Sequence, residues 1–393
     1  MPTIMGLSGN EAVAHAMRQI NPDVVAAYPI TPQTELMHQF AEFYADGLVD
    51  TELVLTESEH SAMSATVGAA AAGARAMTAT SANGLALMWE IVYIAASLRL
   101  PIVMPVINRA LSGPINIHCD HSDTMGCRDS GWIQIFSENC QEAYDNALMA
   151  VKISEHKNIL LPTMITLDGF ILSHTLERVE LLDDDVAKKF VGEYHPDHWL
   201  LDVERPITVG PLDLQDYYFE HKRQQIHAMS QVFPVIEQVA KEFAQLSGRH
   251  YGLIEEYRID DAERAIILMG SSVGTAKDVV DDLRSEGEKV GLIKIRVYRP
   301  FPYDAIRSAL KKLKAVAVLD RAVSFGTFGG PVYTDIRATL YGNGVNLPVV
   351  NYIYGLGGRD IDKAQIKSAF DDLKDVAKTG RVVEELRFLG LRD

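Results

Sequence analysis

The sequence predicts an α/β protein of two parallel-sheet domains, residues 1–250 and 251–393. Short apolar runs that read as buried strands alternate with helical segments up to Leu167, and the alternation resumes from Ala265. Between them, from His174 to about Asp261, charge clusters, prolines and aromatics replace the periodicity, marking a connecting region that closes the first domain. Parallel strands joined by helices need both faces of a sheet covered, and this alternation encodes that requirement.

In chain order the pattern predicts a helix over 10–18, a strand over 23–27 and a helix after Thr31. A strand over 52–56 precedes an Ala-rich helix over 58–74 and a short strand over 77–80. A helix over 83–98 and a strand over 101–108 lead into an irregular stretch rich in Gly, Asp and His, then a helix over 142–154 and a strand over 159–167. One long helix over 223–247 is expected in the connecting region, where Trp199, Tyr217, Tyr218 and Phe219 supply too much packing surface for disorder. In the second domain, a strand over 265–269 runs into Gly270-Ser271-Ser272-Val273-Gly274 and a helix. Strands over 290–297, 316–319 and 347–353 follow, with helices over 303–312 and 330–340 between them.

Composition excludes several function classes. A hydrophobic share of 47% beside 23% charged residues is that of a globular protein with a sizeable core. A net charge of -16 argues against nucleic-acid binding, which needs basic surface to displace counterions. The most apolar stretch, 91–107, is interrupted by Arg99 and Pro101 and cannot span a membrane. No basic-then-apolar leader is visible, and three widely spaced cysteines, Cys119, Cys127 and Cys140, fit a reducing cytoplasm. They fall short of the four ligands of an iron–sulfur cluster.

The segment Ala27 to Thr34 is the first candidate site. A buried strand leads to Thr31 at a helix N-cap position with Pro32 as first helical residue, so a hydroxyl and the positive end of a helix meet at one point. That arrangement is either an ordinary capped helix or a small anion site able to hold a carboxylate. Glu57-Ser58-Glu59-His60-Ser61 stands where the second strand meets the Ala-rich helix. Its carboxylates either complement the macrodipole or place one acid in a dry cleft against a cofactor ring nitrogen. Arg109 follows an apolar strand, at the carboxyl edge where α/β folds bind ligands, and its planar fork suits a carboxylate as well as a surface ion pair. His118, Asp120, His121 and Asp123 lack regular metal-ligand spacing and read as a hydrogen-bonded loop, so no metal is assigned to this chain. Gly270 to Gly274 lacks the dinucleotide fingerprint, and Gly355-Leu356-Gly357-Gly358 reads first as a turn.

Taken in order, several motifs resemble the alpha subunit of 2-oxoacid:ferredoxin oxidoreductases, in particular those acting on pyruvate. They are Tyr28-Pro29-Ile30-Thr31-Pro32, Glu57-Ser58-Glu59-His60-Ser61, Thr80-Ser81-Ala82-Asn83-Gly84, Asn108-Arg109-Ala110-Leu111-Ser112, Asp120-His121-Ser122-Asp123 and Asp168-Gly169-Phe170. Tyr298-Arg299-Pro300-Phe301-Pro302 and Gly355-Leu356-Gly357-Gly358 extend the likeness to the second domain. The resemblance implies a thiamine diphosphate pyrimidine-binding domain followed by a transketolase C-terminal-like domain. It implies that Glu59 hydrogen-bonds the aminopyrimidine ring and that Thr31 and Arg109 hold the substrate carboxylate. The implied reaction is oxidative decarboxylation of pyruvate with coenzyme A, electrons passing to ferredoxin.

No Gly-Asp-Gly motif for magnesium and diphosphate and no four-cysteine run stands in this chain. The resemblance therefore assigns Mg²⁺ and the 4Fe–4S clusters to partner beta, gamma and delta subunits, and this chain alone is expected to be inactive. Branched-chain 2-oxoacid and oxalate enzymes are the alternatives within the family. A non-catalytic assembly subunit and a nicotinamide dehydrogenase are the alternatives outside it.

Overall fold

A seven-stranded sheet organises the first part of the chain, and a six-stranded sheet the second. The computed structural model describes residues 3–341 and 345–392. In the first sheet the spatial order is Val297–Arg299, Ile133–Phe136, Thr163–Asp168, Val103–Asn108, Ala76–Met77, Val24–Ala27, Glu52–Leu55. All neighbours run parallel except Val297–Arg299, which is antiparallel to Ile133–Phe136. The chain passes from Val24–Ala27 to one flank and then returns to the other, so the strand order reverses beside Ala76–Met77. Clefts open at the carboxyl ends of strands at such a reversal.

The second sheet runs Leu386–Phe388, Val349–Ile353, Ala315–Asp320, Arg264–Leu268, Val290–Ile295, Ile254–Tyr257, with only the last strand antiparallel. Each sheet is buried between two apolar clusters, one per face. This explains why Val103–Asn108 and Thr163–Asp168 are buried at every residue and read as continuous apolar runs rather than alternating ones.

The first helix, Gly9–Ile20, illustrates how local chemistry sets an element. Ser8 Oγ accepts from Glu11 N at 3.3 Å, and Glu11 Oε2 accepts from Ser8 N at 2.7 Å, closing a capping box. Ala12, Val13, Ala16, Met17 and Ile20 form the buried stripe. It packs in the same core cluster as Cys140–Ser154, where burying the Val13, Met17 or Ile20 side chain is worth about 1.5–3 kcal/mol each.

Several expectations are corrected. The helix predicted to start at Thr31 starts at Thr34, because Gln33 folds back on Ile30: its N–H donates to Ile30 O at 2.8 Å and its Oε1 accepts from Ile30 N at 3.2 Å. That turn occupies the groups a helix would use. The strand expected over 290–297 divides at Arg296. Val290–Ile295 stays in the second sheet, while Val297–Arg299 crosses to the first, where Tyr298 packs edge-on against Phe136 with ring centroids 6.0 Å apart. The long helix expected over 223–247 is two helices, Tyr218–Ser230 and Val232–Ser247. Pro234 sits in the first turn of the second, where its ring would clash with the carbonyl four residues earlier in a continuous helix.

Ile133–Phe136, inside the stretch read as irregular, is a fully buried strand. Thr3–Leu7 and Glu177–Leu181 form an antiparallel pair, and Ile254–Tyr257, Lys363–Thr379 and Leu386–Phe388 complete the second unit; none of these elements was expected. No helix among the described residues is long and apolar enough to cross a membrane. All three cysteines are free and buried.

Candidate active site

The loops that leave the carboxyl ends of the first sheet carry all three predicted site residues. Thr31 follows Val24–Ala27, Glu59 opens the helix after Glu52–Leu55, and Arg109 follows Val103–Asn108. Thr80, Ser81 and Ala82 come from the strand between, beside the point where strand order reverses. A separate cavity of about 520 Å³, lined by Leu100, Pro101, Leu160 and Tyr194 among others, lies at the amino ends of the strands and serves none of these loops.

Thr31 and Arg109 meet directly. Arg109 Nη1 donates to Thr31 O at 3.0 Å and Nε donates to Asn116 O at 2.9 Å. The side chain is buried and engaged with backbone carbonyls, not with the surface acid that a simple ion pair would require. The Thr31–Pro32 peptide is cis, and Thr31 itself is exposed, with its carbonyl rather than its hydroxyl facing Arg109.

Glu59 is 6% exposed at the first turn of helix Glu59–Ala71, which Ser58 caps by accepting from Ser61 N at 3.3 Å. Glu57, by contrast, is exposed and bonded to Ser61 Oγ, so the two glutamates of the motif separate by burial. No hydrogen bond from the described residues reaches the Glu59 carboxylate. Thr80 Oγ1, close to it across Gly84, is buried without a partner, as is Ser81 Oγ on the next residue. Gly84 makes the proximity possible: a Cβ there would lie 2.5 Å from Thr80 Oγ1 and 2.8 Å from Glu59 Oε1. A buried acid close to an unsatisfied hydroxyl is costly in a finished core, and such a pair suits a polar ligand.

The cluster around His121 is where the two sheets face each other. His121 Nε2 bonds Asp168 Oδ1 at 2.8 Å, and Asp168 Oδ2 accepts from Arg321 Nη1 at 2.9 Å and from Ser271 N and Oγ at 3.0 and 2.5 Å. Gly270 holds φ +75, and a Cβ there would lie 2.9 Å from Asp168 Oδ2, so the glycine-rich turn serves contact between the units rather than a nucleotide. Burial alone would raise the Asp168 pKa; the His121 ring and the Arg321 guanidinium overcome it and hold the carboxyl well below the ordinary range. Gly357 N donates to Asp120 Oδ2 at 3.3 Å and Asn116 Nδ2 to Gly357 O at 3.1 Å, so the second glycine turn grips the Arg109 loop. Sequence reasoning missed Arg321 and Ser271 because nothing local marks a side chain for a partner on another sheet.

Residues 15–241 match the family model of pyruvate flavodoxin/ferredoxin oxidoreductases, thiamine diphosphate-binding domain. Residues 262–366 match pyruvate:ferredoxin oxidoreductase core domain II. The chain is 60% identical over 390 residues to pyruvate synthase subunit PorA of Thermotoga maritima, covering 99% of this chain and 98% of that one. The chain belongs to the pyruvate synthase alpha-subunit family. PorA of Pyrococcus abyssi is 47% identical over 100% of this chain and 99% of its own. Ketoisovalerate oxidoreductase subunit VorA of the same organism is 43% identical over 98% and 97%.

Two solved structures show the fold alone. A 2-oxoglutarate:ferredoxin oxidoreductase from Magnetococcus marinus, with 2-oxoglutarate, coenzyme A and succinyl-CoA bound, superposes with a TM-score of 0.73 at 20% identity. It covers 96% of this chain, which spans 65% of that longer one. A split-gene transketolase, an inactive beta4 tetramer, gives 0.54 at 13% identity over 95% of this chain and 98% of that one. The expected pairing of a thiamine-type domain with a transketolase-like fold is thus borne out.

On the ring-binding role that the resemblance implies for Glu59, Gly84→Ala is expected to lower turnover of the assembled enzyme at least about tenfold, since the added Cβ displaces the carboxylate from the bond it would make to the cofactor. Helix propensity favours the alanine by roughly 0.8–1 kcal/mol, but crowding Thr80 and Glu59 costs about 1–3 kcal/mol, so the melting temperature should fall by a few degrees at most. Steady-state rates and a melting curve on the same preparation check both halves.

Proposed function

We propose that this chain supplies the aminopyrimidine and substrate-carboxylate half of a thiamine diphosphate site that oxidatively decarboxylates pyruvate with coenzyme A. The observation that carries the reading is the buried Glu59, its carboxylate without a partner among the described residues and close to the unsatisfied Thr80 hydroxyl. Glu59 would accept a hydrogen bond from a protonated ring nitrogen, in surroundings where burial strengthens such a bond. Thiamine diphosphate, when bound, supplies the carbanion-stabilising chemistry that releases a 2-oxoacid carboxyl as carbon dioxide.

Arg109, fixed by Thr31 O and Asn116 O through Nη1 and Nε, keeps Nη2 for a carboxylate, and the Thr31 hydroxyl on the exposed side chain would turn toward the same group as a second donor. Positioning a short monocarboxylate this way removes freedom that the reaction would otherwise have to lose. Exposed apolar residues on the neighbouring loops, Leu55, Ile115 and Ile117 at 77%, 76% and 43%, fit a face that another chain completes. Beta, gamma and delta subunits would bring Mg²⁺ with the diphosphate, the 4Fe–4S clusters and the route to ferredoxin, all in a reducing cytoplasm. The domain division at residue 250 belongs to the same reading, with the proviso that Val297–Arg299 crosses it.

The similarity to VorA favours a second reading, a branched-chain 2-oxoacid as substrate. A 2-oxoacid panel on the co-purified complex decides between them. Pyruvate is expected to exceed 3-methyl-2-oxobutanoate in kcat/KM by at least about tenfold, the usual scale of discrimination by small differences in apolar bulk. Equal or reversed values would replace pyruvate with the branched acid.

A further inference from the structure

The motif Asp120-His121-Ser122-Asp123 assigns each of its residues a different anchor. Asp120 accepts from Gly357, His121 bonds Asp168, and Ser122 Oγ accepts from Leu111 N at 2.9 Å. Asp123 alone reaches both halves of the site. Its Oδ2 accepts from Arg109 N at 3.0 Å and from Ala82 N at 3.1 Å, and its Oδ1 accepts from Asn108 Nδ2 at 2.8 Å and Thr124 N at 2.7 Å. We propose that Asp123 is the positioning residue that sets the Arg109 backbone and the Ser81–Gly84 segment beside Glu59 in one common register. The proposal rests on the roles given above to Glu59 and Arg109.

Three observations support it. Three of the four partners are backbone N–H groups, which can only donate, and between them they meet both oxygens, so an amide in its place would face a donor whichever way it turned. Asp123 is 2% exposed, so water cannot substitute for it. Ala82 holds φ +36, a conformation that residues with a side chain rarely adopt and that persists only where surrounding bonds over-determine it. The bond from Ala82 N to Asp123 is what holds it, immediately before the Asn83 and Gly84 positions that contact the Ser112 loop and Glu59. One oxygen thus joins the strand end bearing Arg109 to the helix start bearing Gly84.

A residue of that kind has a kinetic signature that simple destabilisation lacks. In the assembled complex, Asp123→Asn is expected to raise the KM for pyruvate and the half-saturating concentration of thiamine diphosphate together, each about tenfold, the scale of one lost charge-assisted hydrogen bond. Glu59→Gln and Arg109→Lys serve as references, the first expected to act through the cofactor and the second through pyruvate. A shift in only one constant, or a lower melting temperature with both constants unchanged, overturns the coupling. If the two reference variants also leave both constants unchanged, the underlying site reading fails instead. Should Asp123→Asn not assemble, Asn108→Ala removes a single donor to Asp123 Oδ1, and the same joint shift is required of it.

Discussion

Replacing Glu59 by Gln in the assembled enzyme is expected to cut turnover by about a hundredfold to ten-thousandfold, the range for losing a positioned acid–base group. The substitution keeps shape and volume, so packing against Thr80 and Gly84 is preserved. What changes is the ability to hold a proton at the cofactor ring. Because the carboxylate has no partner among the described residues, no native hydrogen bond of this chain is lost, and the melting temperature of the cofactor-free complex should stay within about a degree or two, as for a substitution worth under 0.5 kcal/mol. Turnover with saturating pyruvate, together with a melting curve, separates chemistry from stability. Turnover left intact would put the non-catalytic assembly subunit in front.

Asp168→Asn should produce the largest loss of stability. The residue is 1% exposed and bridges His121 to Arg321 and Ser271. Removing its charge leaves a buried guanidinium without its counter-ion, and breaking a buried pair in this way costs about 3–5 kcal/mol. Screening hardly reaches such a site, so the loss should be nearly the same in low and high salt. Its pH dependence follows from the lowered pKa of the folded state. The ionised form is the stabilising one, so the contribution is fully present above the unfolded carboxyl pKa and is lost only as pH falls through the depressed folded value. The gap between wild type and variant in denaturant unfolding should therefore not close from pH 8 down to pH 5, staying at no less than about the stated size. A gap that closes within that window, or disappears in salt, would show that Asp168 does not hold the two sheets together.

The architecture was legible wherever a pattern is local. The apolar runs at 24–27, 103–108 and 265–268 and the capped helix after Ser8 need only their own residues to declare themselves, because burial on both faces and a reciprocal cap leave a direct imprint on composition. Thr31 and Arg109 could be picked out for the same reason, each standing just after such a run, whereas only the family resemblance separated Glu59 from Glu57. Helix start and strand allegiance were harder. Thr31 and Pro32 fit a cap in isolation, yet Gln33 closes a turn on Ile30, and Val297 to Arg299 looks like the end of one strand while hydrogen-bonding in another sheet.

The pairings that assemble the site were not legible, and the physics explains why. Asp123 accepts from Ala82 across 41 positions, and Asp168 meets Arg321 across 153. A carboxylate carries no local mark of which distant donor it will accept from, since that choice is made by sheet order and loop path. The order of strands brings the ends at Ala82, Arg109 and Asp168 to one edge, and the second sheet then closes upon that edge through Ser271, Arg321 and Gly357. Chemistry type is a property of residues and was written along the chain. Which groups share one hydrogen bond is a property of the folded edge, where burial leaves each polar atom a single set of partners.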